Sequence, residues 1–520
     1  MSVALRHCPD RLVFDRVGPV DDLIRAARQD PSRAILRTRD HEVTVGELVR
    51  QAREAAGVLR RRGVHPGDRV GLLCGSSFER VAWMFGIWWA GAIEVSINTE
   101  LRGPMMAHVL TDSDPGLVVC QRSLVGRVDE TSAIDVLVIE DVAPEPVAPA
   151  LFEELDAIQV SFQPEDLATI LYTSGTTGPS KGVMLPRAYF SNLAEIWAAA
   201  MEFDEGDVGY FPLPFFHVDA HVLITAAIQT GSVLAFRERF SVSGFFDDIR
   251  HFGATWALGV GSMLSMLAQG DLPEPGSLPL TRMLCAPVPD IAYEVFEDRL
   301  GIPILTLFGQ TECDAIAMGG DGARRRGSAG RPHPAIDLRI VDDRDRDLPV
   351  GQTGEIVFRP MRPHLCALGY WRRPDATVTA WRNLWFHTGD SGHLDEDGYL
   401  YFDGRRTDSF RRCGENISAW ELERTMSSAE GVRECIAVAV PDEHGGEDEL
   451  KVFVIPEDGR DVDPAEFIAY CRSVLPGFAV PRYVAVTDGG EFVRSPGTGV
   501  VQKHLLSRDI DPDYVYEVER

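Results

Sequence analysis

The segment Ala168-Thr-Ile-Leu-Tyr-Thr-Ser-Gly-Thr-Thr-Gly-Pro-Ser-Lys-Gly182 decides how this chain folds. Its apolar first half predicts a buried strand, and a loop is predicted to follow it, formed by Thr173, Ser174, Gly175, Thr176, Thr177 and Gly178. Glycines allow successive backbone N–H groups to face one anion, the hydroxyls add donors, and Lys181 adds a positive charge. The segment therefore predicts a phosphate-binding loop, although its spacing is not that of the Walker motif. A polar surface loop has a similar composition, so the other motifs of the chain have to distinguish the two.

Short apolar strands and helices alternate before this segment. Gly71-Leu-Leu-Cys74 predicts a buried strand, Val81 to Ile93 a buried helix, and Ile93 to Ile97 a second strand. A helix from Met105 to Leu110 then precedes the strand Leu117-Val-Val-Cys120. This alternation is typical of an α/β sheet with helices on both faces.

The pattern changes near residue 404. The stretch from Gly389 to Arg406 is rich in Gly and Asp and is expected to end the large α/β region. Helices are then predicted at Ala419–Met426 and Pro464–Val474, with strands at Cys435–Val440, Leu450–Ile455 and near Tyr483. The sequence thus predicts an α/β fold with a large N-terminal domain of stacked sheets, residues 1–404, and a small α+β C-terminal domain, residues 405–520.

The charge and the cysteines narrow the class of protein. The 520 residues include 51 basic and 79 acidic side chains, and the formal net charge of −28 disfavours general binding to nucleic acids or anionic membranes. Nine dispersed cysteines without a C-x-x-C pair indicate reduced thiols in a cytoplasmic protein. The longest apolar run, Val81 to Ile93, is too short to cross a bilayer. We therefore expect small-molecule substrates and neither a nucleic-acid nor a membrane partner.

Three further stretches carry polar groups to the ends of predicted strands. Phe211-Pro-Leu-Pro-Phe-Phe-His217 ends on a histidine that, taken alone, is more often structural than functional. Leu307-Phe-Gly-Gln-Thr-Glu312 ends on a hydroxyl suited to phosphate and a carboxylate suited to magnesium. Trp385-Phe-His-Thr-Gly-Asp390 places a carboxylate after a tight turn, where it suits the two hydroxyls of a ribose, and Gly404-Arg405 is expected to complete that contact from the opposite side.

The order and spacing of these motifs resemble the adenylate-forming superfamily of acyl-CoA synthetases, luciferases and peptide-synthetase adenylation domains. The resemblance runs from about Asp40 to Leu506, and the stretch from Gly404 to Glu423 looks most like acyl-CoA ligases that resemble carnitine-CoA ligase. It implies an ATP-dependent acid–thiol ligase in which a carboxylate attacks the α-phosphate of MgATP. The small C-terminal domain is then a mobile lid that rotates so that a thiol, usually CoA, displaces AMP.

The resemblance also implies a role for each matching residue. The loop Thr173–Gly178 and Lys181 hold the phosphates, Thr311 meets the α-phosphate, and Glu312 binds Mg²⁺. The other nucleotide contacts are Phe308, Gly309 and Gln310 at adenine, Asp390 and Arg405 at the ribose, and Phe402. The substrate pocket is formed by His217, Asp219, Gly259, Cys285 and Ala286, and Gly414 lines the thiol tunnel. Lys181, His217, Thr311 and Glu312 are the candidate catalytic residues.

The chain departs from this family near its C-terminus. Family members carry a Gly-Lys there, and the lysine reaches the substrate carboxylate and the α-phosphate. Here the stretch is Arg494-Ser-Pro-Gly-Thr-Gly-Val-Val-Gln-Lys503, so either Val500 or Gly499 occupies the lysine position. Four explanations stay open: an engineered substitution, replacement by Lys503 or an arginine, a substrate that needs less activation, or loss of adenylation.

Two pocket positions and one charged run also leave alternatives open. Cys285 stands where many relatives have glycine, so it either narrows the acyl pocket or is a plain buried thiol. Asp219 either meets a cationic group of the substrate or is a satisfied structural carboxylate. The run Arg324-Arg-Arg326 either contacts a CoA phosphate or forms a solvated loop.

Three functions compete at this point. The leading one is an acyl-CoA ligase for a small or medium carboxylate, with aromatic acids among the candidates, that uses ATP, Mg²⁺ and CoA. The second activates nitrite with ATP for diazotisation of an aryl amine without CoA, because a small inorganic nucleophile need not use the missing lysine. The third is a nucleotide-binding pseudoenzyme, against which the intact Thr311-Glu312, Asp390 and Arg405 weigh. A homodimer is left open.

Restoring the lysine tests the departure directly. We expect Val500→Lys to accelerate adenylation, because one preorganised donor of this kind is worth on the order of 10²–10³ in rate. The measurement is ATP–pyrophosphate exchange in the presence of the acid substrate. An unchanged or slower exchange in the variant contradicts the expectation.

Overall fold

The structure is a computed structural model. It describes residues 16–129, 134–142, 162–173, 179–320, 324–405, 409–412, 415–440, 447–457, 459–490, 492, 501, 503, 506–508, 510 and 515–518. Outside these ranges lie Ser174 to Gly178 of the phosphate loop, Gly414 and the two candidate lysine positions, Gly499 and Val500. The backbone of Arg405 is described, but its side chain is not.

The N-terminal part of the chain alternates helices and strands, as predicted. In chain order it contains α1 (Pro19–Gln29), β1 (Ala34–Arg37), β2 (Glu42–Thr44), α2 (Val45–Arg61), β3 (Arg69–Leu73), α3 (Phe78–Trp89), β4 (Ile93–Ser96), α4 (Gly103–Ser113), β5 (Leu117–Cys120), α5 (Val125–Asp129) and β6 (Val136–Val138). It continues with β7 (Leu167–Thr173), β8 (Lys181–Pro186), α6 (Arg187–Ala200), β9 (Val208–Phe211), α7 (Val218–Thr230), β10 (Val233–Phe236), α8 (Phe245–Phe252), β11 (Trp256–Gly259), α9 (Gly261–Ala268), β12 (Arg282–Cys285) and α10 (Asp290–Ala292). A π-helical segment, Tyr293–Arg299, extends α10.

The remaining elements run from residue 304 to the C-terminus. They are β13 (Ile304–Gln310), β14 (Cys313–Gly319), β15 (Arg331–Pro332), β16 (Ile336–Val341), β17 (Gly354–Pro360), β18 (Gly369–Tyr370), α11 (Pro374–Ala380), β19 (Phe386–Leu394), β20 (Leu400–Arg405), β21 (Ser409–Arg412), β22 (Glu415–Ser418), α12 (Ala419–Met426), β23 (Val432–Val440), β24 (Glu449–Pro456), α13 (Pro464–Val474), β25 (Tyr483–Val486) and β26 (Tyr516–Glu517). Short 3₁₀ turns occur at Arg122–Leu124, Ile139–Asp141, Arg382–Leu384 and Gly477–Ala479.

Two large sheets enclose a shared layer of helices. One has nine strands in the order β15-β14-β13-β12-β11-β9-β10-β1-β2, and the other has seven in the order β18-β8-β7-β4-β3-β5-β6. One continuous apolar core joins both sheets, because residues of α3, α6 and α7 are buried against Leu72 of one sheet and Leu234 of the other. The predicted stacked α/β architecture is therefore confirmed.

The predicted phosphate-loop segment connects two neighbouring strands of the seven-stranded sheet, β7 and β8. β7 pairs parallel with β4 and antiparallel with β8, and this register places Thr173 opposite Lys181. The predicted strand before the loop is confirmed. Strand pairing therefore fixes the positions of Thr173 and Lys181, the residues on either side of the loop segment.

The Gly- and Asp-rich stretch that begins at Gly389 forms two paired strands. β19 and β20 pair antiparallel across most of it, within a four-stranded sheet with β16 and β17. Gly389, Gly398 and Gly404 have positive φ angles of +72°, +79° and +123°, which glycine adopts without strain. That the large α/β region ends here stays a prediction.

The C-terminal domain has its own sheet and its own core. Its sheet has the strand order β23-β24-β25-β26, and α12 and α13 pack on it through residues such as Leu422 and Ile468. The predicted helices agree with the structure, but the sequence did not indicate the hairpin β21–β22 or the pairing of β25 with β26. The boundary at residues 404/405 stays a prediction. Among the described residues, no helix combines the length and the apolar character needed to cross a membrane.

A glycine inside the nine-stranded sheet provides a test of its packing. Gly209 in β9 lies against the indole ring of Trp256, and a Cβ at this position would overlap that ring. We expect Gly209→Ala to lower the free energy of unfolding by about 1–3 kcal/mol, measured by chemical denaturation. The control is Gly116→Ala, since an added Cβ there meets no atom within 4 Å. Equal stability of the two variants would contradict the packing described.

Candidate active site

Tyr370 contacts both Lys181 and Glu312. The ammonium of Lys181 lies 5.2 Å from the centre of the Tyr370 ring, and the Tyr370 hydroxyl donates to Glu312 Oε1 at 2.6 Å. Burial and the neighbouring Glu312 carboxylate raise the pKa of Tyr370, so its hydroxyl remains a donor. Tyr370 thus brings Lys181, which is predicted to hold phosphate, close to Glu312, which is predicted to hold Mg²⁺.

Two hydrogen bonds to backbone carbonyls hold the turn that carries Thr311 and Glu312. Tyr189 in α6 donates its hydroxyl to the Thr311 carbonyl at 2.9 Å, and the Ala367 amide donates to the Glu312 carbonyl at 2.8 Å. Nowhere in the described part of the chain do three His, Cys, Asp or Glu side chains gather as a metal cluster. A single carboxylate next to a phosphate site fits Mg²⁺, which keeps waters and takes oxygens from the nucleotide.

The ribose candidates lie on paired strands. Gln310 donates to Asp390 Oδ2 at 2.8 Å and to the Thr388 carbonyl at 3.0 Å, so it holds the carboxylate in place. Asp390 is inside strand β19 and not after a tight turn as expected, although Gly389 before it has φ +72°. Asp390 and Arg405 are cross-strand partners of β19 and β20, and the ribose contact of Arg405 stays a prediction.

Two aromatic rings flank the predicted adenine position. The rings of Phe308 and Phe402 lie 6.1 Å apart, tilted by 33°, and Phe402 is 41% exposed although it is a large apolar residue. Gly309 has a local explanation, because a Cβ there would overlap the backbone of Asp314 in the adjacent strand. The glycine is thus required by the β13–β14 hairpin itself, independently of any ligand.

A cleft separates the two domains. It encloses about 780 Å³, part of it open to solvent. Its apolar wall includes Met105 and Val109 of α4 and Leu101 just before that helix. Its polar groups include Ser96, Tyr172, Ser180, His217, Thr311 and Glu415. Ile417 and Phe478 of the C-terminal domain close it. Of the predicted site residues, His217 and Thr311 therefore line the same cavity.

His217 connects the two domains across this cleft. It precedes α7, and its Nε2 lies 3.0 Å from Glu415 Oε1 at the start of β22. Both side chains are largely buried, with 29% and 15% exposed. The contact joins residues 198 positions apart, so no local pattern in the sequence indicated it.

Asp219 forms a carboxyl pair with Asp314. The two share a hydrogen bond, and Asp314 Oδ2 also accepts from Trp197 Nε1 at 3.0 Å. Burial and the neighbouring Asp219 raise the pKa of Asp314 well above its ordinary value. Asp219 is thus a partnered carboxylate, which agrees with the structural alternative stated for it.

The other predicted pocket residues do not line the cleft described above. Cys285 is 2% exposed and donates its thiol to the Pro287 carbonyl at 3.2 Å, within an apolar core cluster. Gly259 ends β11, where a Cβ would lie 2.6 Å from Leu264 Cδ1. Ala286 follows Cys285 in the chain. Of the alternatives for Cys285, the buried thiol is the one that its environment favours.

The arginines of the run from Arg324 to Arg326 form ion pairs with acidic residues. Arg324 and Arg326 both pair with Glu297, and Arg325 pairs with Asp395 and Asp397. These ion pairs lie within the N-terminal domain and connect the run to the π-helical segment and the β19–β20 turn. Arg324 and Arg326 are exposed and Arg325 is partly exposed, and all three are held by ion pairs, so the environment favours the solvated alternative over cations held ready for a CoA phosphate.

Comparison with known proteins decides the family. The model of the AMP-binding enzyme matches residues 23–371, and the model of the AMP-binding enzyme C-terminal domain matches residues 421–494. The chain belongs to the AMP-binding enzyme family. It is an AMP-forming ligase of the acyl-CoA synthetase type, as the motifs predicted.

The similarity to individual known proteins also extends over most of the chain. A crotonobetaine/carnitine–CoA ligase of Salmonella paratyphi A is 29% identical over 486 residues, 89% of this chain and 93% of its own. A structure of o-succinylbenzoate CoA synthetase (MenE) from Bacillus subtilis, bound with its product analogue OSB-NCoA, has a TM-score of 0.82 at 24% identity and covers 96% and 99% of the two chains.

A second MenE structure, in complex with AMP, has a TM-score of 0.67 and covers 93% of this chain and 97% of MenE. The amide bond synthetase McbA from Marinactinospora thermotolerans has a TM-score of 0.81 at 24% identity and covers 94% and 98% of the two chains. At this level of identity, these structures show that the AMP-binding fold is shared.

The carboxyl pair of this AMP-binding enzyme predicts a pH dependence. Because the pKa of Asp314 is raised, the folded protein keeps a proton that the unfolded chain loses above about pH 4, so stability falls as the pH rises beyond that point. We expect Asp314→Asn to remove this fall and to gain about 1–3 kcal/mol of unfolding free energy at pH 8. The measurement is denaturant unfolding between pH 5 and pH 8.

A surface aspartate is the control for that experiment. The pKa of Asp342 is lowered to about 2 by hydrogen bonds from Arg346, so its contribution changes only in acid. Asp342→Asn should leave the slope of stability against pH unchanged between pH 5 and pH 8. A slope in Asp314→Asn equal to that of the wild type would show that Asp314 holds no extra proton.

Proposed function

We propose that this protein is an acyl-CoA ligase that activates a small or medium carboxylic acid with MgATP and passes the acyl group to CoA. The observation that carries this proposal is the single cleft that contains Thr311, from the phosphate end of the site, together with His217 and Glu415. A reacting group held at Thr311 and a thiol that enters between the domains would meet in that cleft.

In the first half-reaction the chain would act mainly by positioning. Lys181, Thr311 and the loop from Thr173 to Gly178 would hold the phosphates in line with the attacking carboxylate. Asp390, oriented by Gln310, and Arg405 would hold the ribose, while Phe308 and Phe402 would flank the adenine. Glu312 would hold Mg²⁺, which supplies neutralisation of phosphate charge when it is bound.

In the second half-reaction His217 and Glu415 would receive the thiol. A carboxylate at hydrogen-bond distance orients an imidazole and stabilises the proton that the ring takes up from the thiol. The domain arrangement supports this assignment: its TM-score is 0.82 with MenE bound to a CoA product analogue and 0.67 with MenE bound to AMP. The apolar face of α4 suits a carbon chain or an aromatic ring of the acid.

The missing lysine is the reason to keep a second candidate. The chain has three lysines, and Lys503, the one nearest to the missing position, pairs with Glu423 at 2.8 Å. Lys451 is 2% exposed and donates to the Ser507 carbonyl, and Lys181 is at the phosphate loop. Activation of nitrite for diazotisation of an aryl amine, without CoA, is the alternative that needs no carboxylate-binding lysine.

One experiment distinguishes these functions. The full chain is incubated with MgATP and either a panel of acids or nitrite, with and without CoA or an aryl amine, and AMP release is followed. CoA-dependent thioester formation supports the ligase, whereas nitrite-dependent AMP release with the amine supports the alternative. ATP binding without any turnover identifies a pseudoenzyme and rejects both.

The contact between His217 and Glu415 gives a prediction for each half-reaction. We expect Glu415→Ala to slow CoA-dependent product formation about 10- to 100-fold, because the imidazole loses a charged hydrogen-bond partner. ATP–pyrophosphate exchange should stay within about twofold of the wild type, since Glu415 has no part in adenylation.

The control is Glu430→Ala, an exposed glutamate of the same domain whose partner is Arg460. It should change neither rate. An equal loss of both activities in Glu415→Ala would place Glu415 outside the thiol step and would remove that part of the proposal.

A further inference from the structure

Three charged side chains are buried behind the cleft and have no part in the reaction as described. They are Arg80 of α3, Glu94 of β4 and His221 of α7, with 1%, 0% and 0% of their surface exposed. Arg80 Nη2 lies 3.5 Å from Glu94 Oε1, and His221 Nε2 lies 3.0 Å from Glu94 Oε2. Such a cluster is costly to bury, so its charge state and its neighbours are informative.

The hydrogen bonds show that His221 and Glu94 share a proton. His221 Nδ1 lies 2.9 Å from the His217 carbonyl, and Nε2 lies 3.0 Å from Glu94 Oε2, so both nitrogens face oxygens. Glu94 also accepts from the Thr169 hydroxyl at 3.2 Å. Burial raises the pKa of Glu94, but its contacts with His221 and Arg80 outweigh that and hold it below its ordinary value. Because a carbonyl only accepts, Nδ1 carries one proton, and the hydrogen bond between Nε2 and Glu94 holds a second.

The cluster then has a net positive charge. Arg80 contributes one positive charge, and the His221–Glu94 pair with its shared proton is neutral as a whole, which leaves +1. The other partners of Arg80 are neutral: the Leu72 and Cys74 carbonyls at 3.4 and 3.1 Å, and the Ser96 hydroxyl. In a low-dielectric interior this charge is only weakly screened by solvent.

Arg80 and His221 each lie one hydrogen bond away from the wall of the cleft. Arg80 donates to Ser96 Oγ at 2.6 Å, and Ser96 donates in turn to the Phe216 carbonyl at 3.3 Å. His221 donates to the His217 carbonyl, and Ser96, Phe216 and His217 all line the cleft. The N-terminus of α7, which begins at Val218, adds its partial positive charge at the same wall.

We propose that Arg80, Glu94 and His221 form a positioning cluster that fixes the Ser96–Phe216–His217 wall and places a positive charge behind it for the carboxylate of the acid substrate. This inference rests on the proposed function, because it assumes that an acid enters the cleft. It also supplies part of the attraction for a carboxylate in a chain that has no lysine at position 499 or 500.

Two substitutions separate charge from structure. In His221→Gln the cluster becomes neutral, because only Arg80 and Glu94 keep their charges. In Glu94→Gln it stays at +1, because the new amide donates to His221 Nε2 in place of the shared proton and Arg80 keeps its charge. Both variants replace one buried side chain of the same network by glutamine, so Glu94→Gln is the matched control. The probes are acetate, butyrate and benzoate, each compared with its primary amide, by calorimetric titration of the full chain.

We expect the wild type to bind at least one acid more tightly than its amide, and this comparison needs no variant. His221→Gln should reduce that preference about tenfold, while Glu94→Gln should keep it. The KM for MgATP should be unchanged in both variants, since the charge is assigned to the acid and not to a phosphate.

Three results would overturn the inference: no preference for any acid in the wild type, equal losses in both variants, or a raised KM for MgATP in place of weaker acid binding. Failure of the proposed function has a different signature. In that case the acids still bind with the expected pattern, but no thioester forms with CoA.

Discussion

Burial of one helical layer between two sheets is the constraint on which the rest of this structure depends. α3, α6 and α7 have residues buried against both sheets, and Trp88, Trp197 and Phe190 are among their fully buried side chains. Large aromatic surfaces of this kind dominate core energetics. Because these helices cannot turn without losing that contact, the side chains at their ends have fixed positions, and His217, directly before α7, is one of them.

The same layer explains where polar groups occur inside the protein. A carboxylate or a cation in this interior is stable only with partners, and each one described has them: Asp314 with Trp197 and Asp219, Glu94 with His221 and Thr169. Of these partners, Asp219 lies two residues after His217, and His221 contacts the His217 carbonyl. The cost of burying charge is thus incurred next to the cleft, where a fixed charge or dipole can act on a ligand without reorganisation.

The cleft itself is a property of both domains. The N-terminal domain contributes His217, Thr311 and the apolar face of α4, while the C-terminal domain contributes Glu415, Ile417 and Phe478. A site completed by a second domain excludes water when the domains approach each other and admits a new reactant when they rearrange. The proposed function consists of two consecutive half-reactions, and a cavity formed in this way suits both.

The sequence by itself determined the family, the α/β architecture and the end of the strand at Thr173, because apolar periodicity and glycine-rich turns are local properties of the chain. It placed Asp390 after a turn, whereas Asp390 lies inside β19, since strand pairing is not encoded locally. Only the tertiary structure decided that Glu415 meets His217, that Tyr370 meets Glu312, and that Arg80 and His221 flank Glu94. These contacts join residues far apart in the chain or on separate elements, and their geometry follows from how buried elements pack, which no single stretch of sequence specifies.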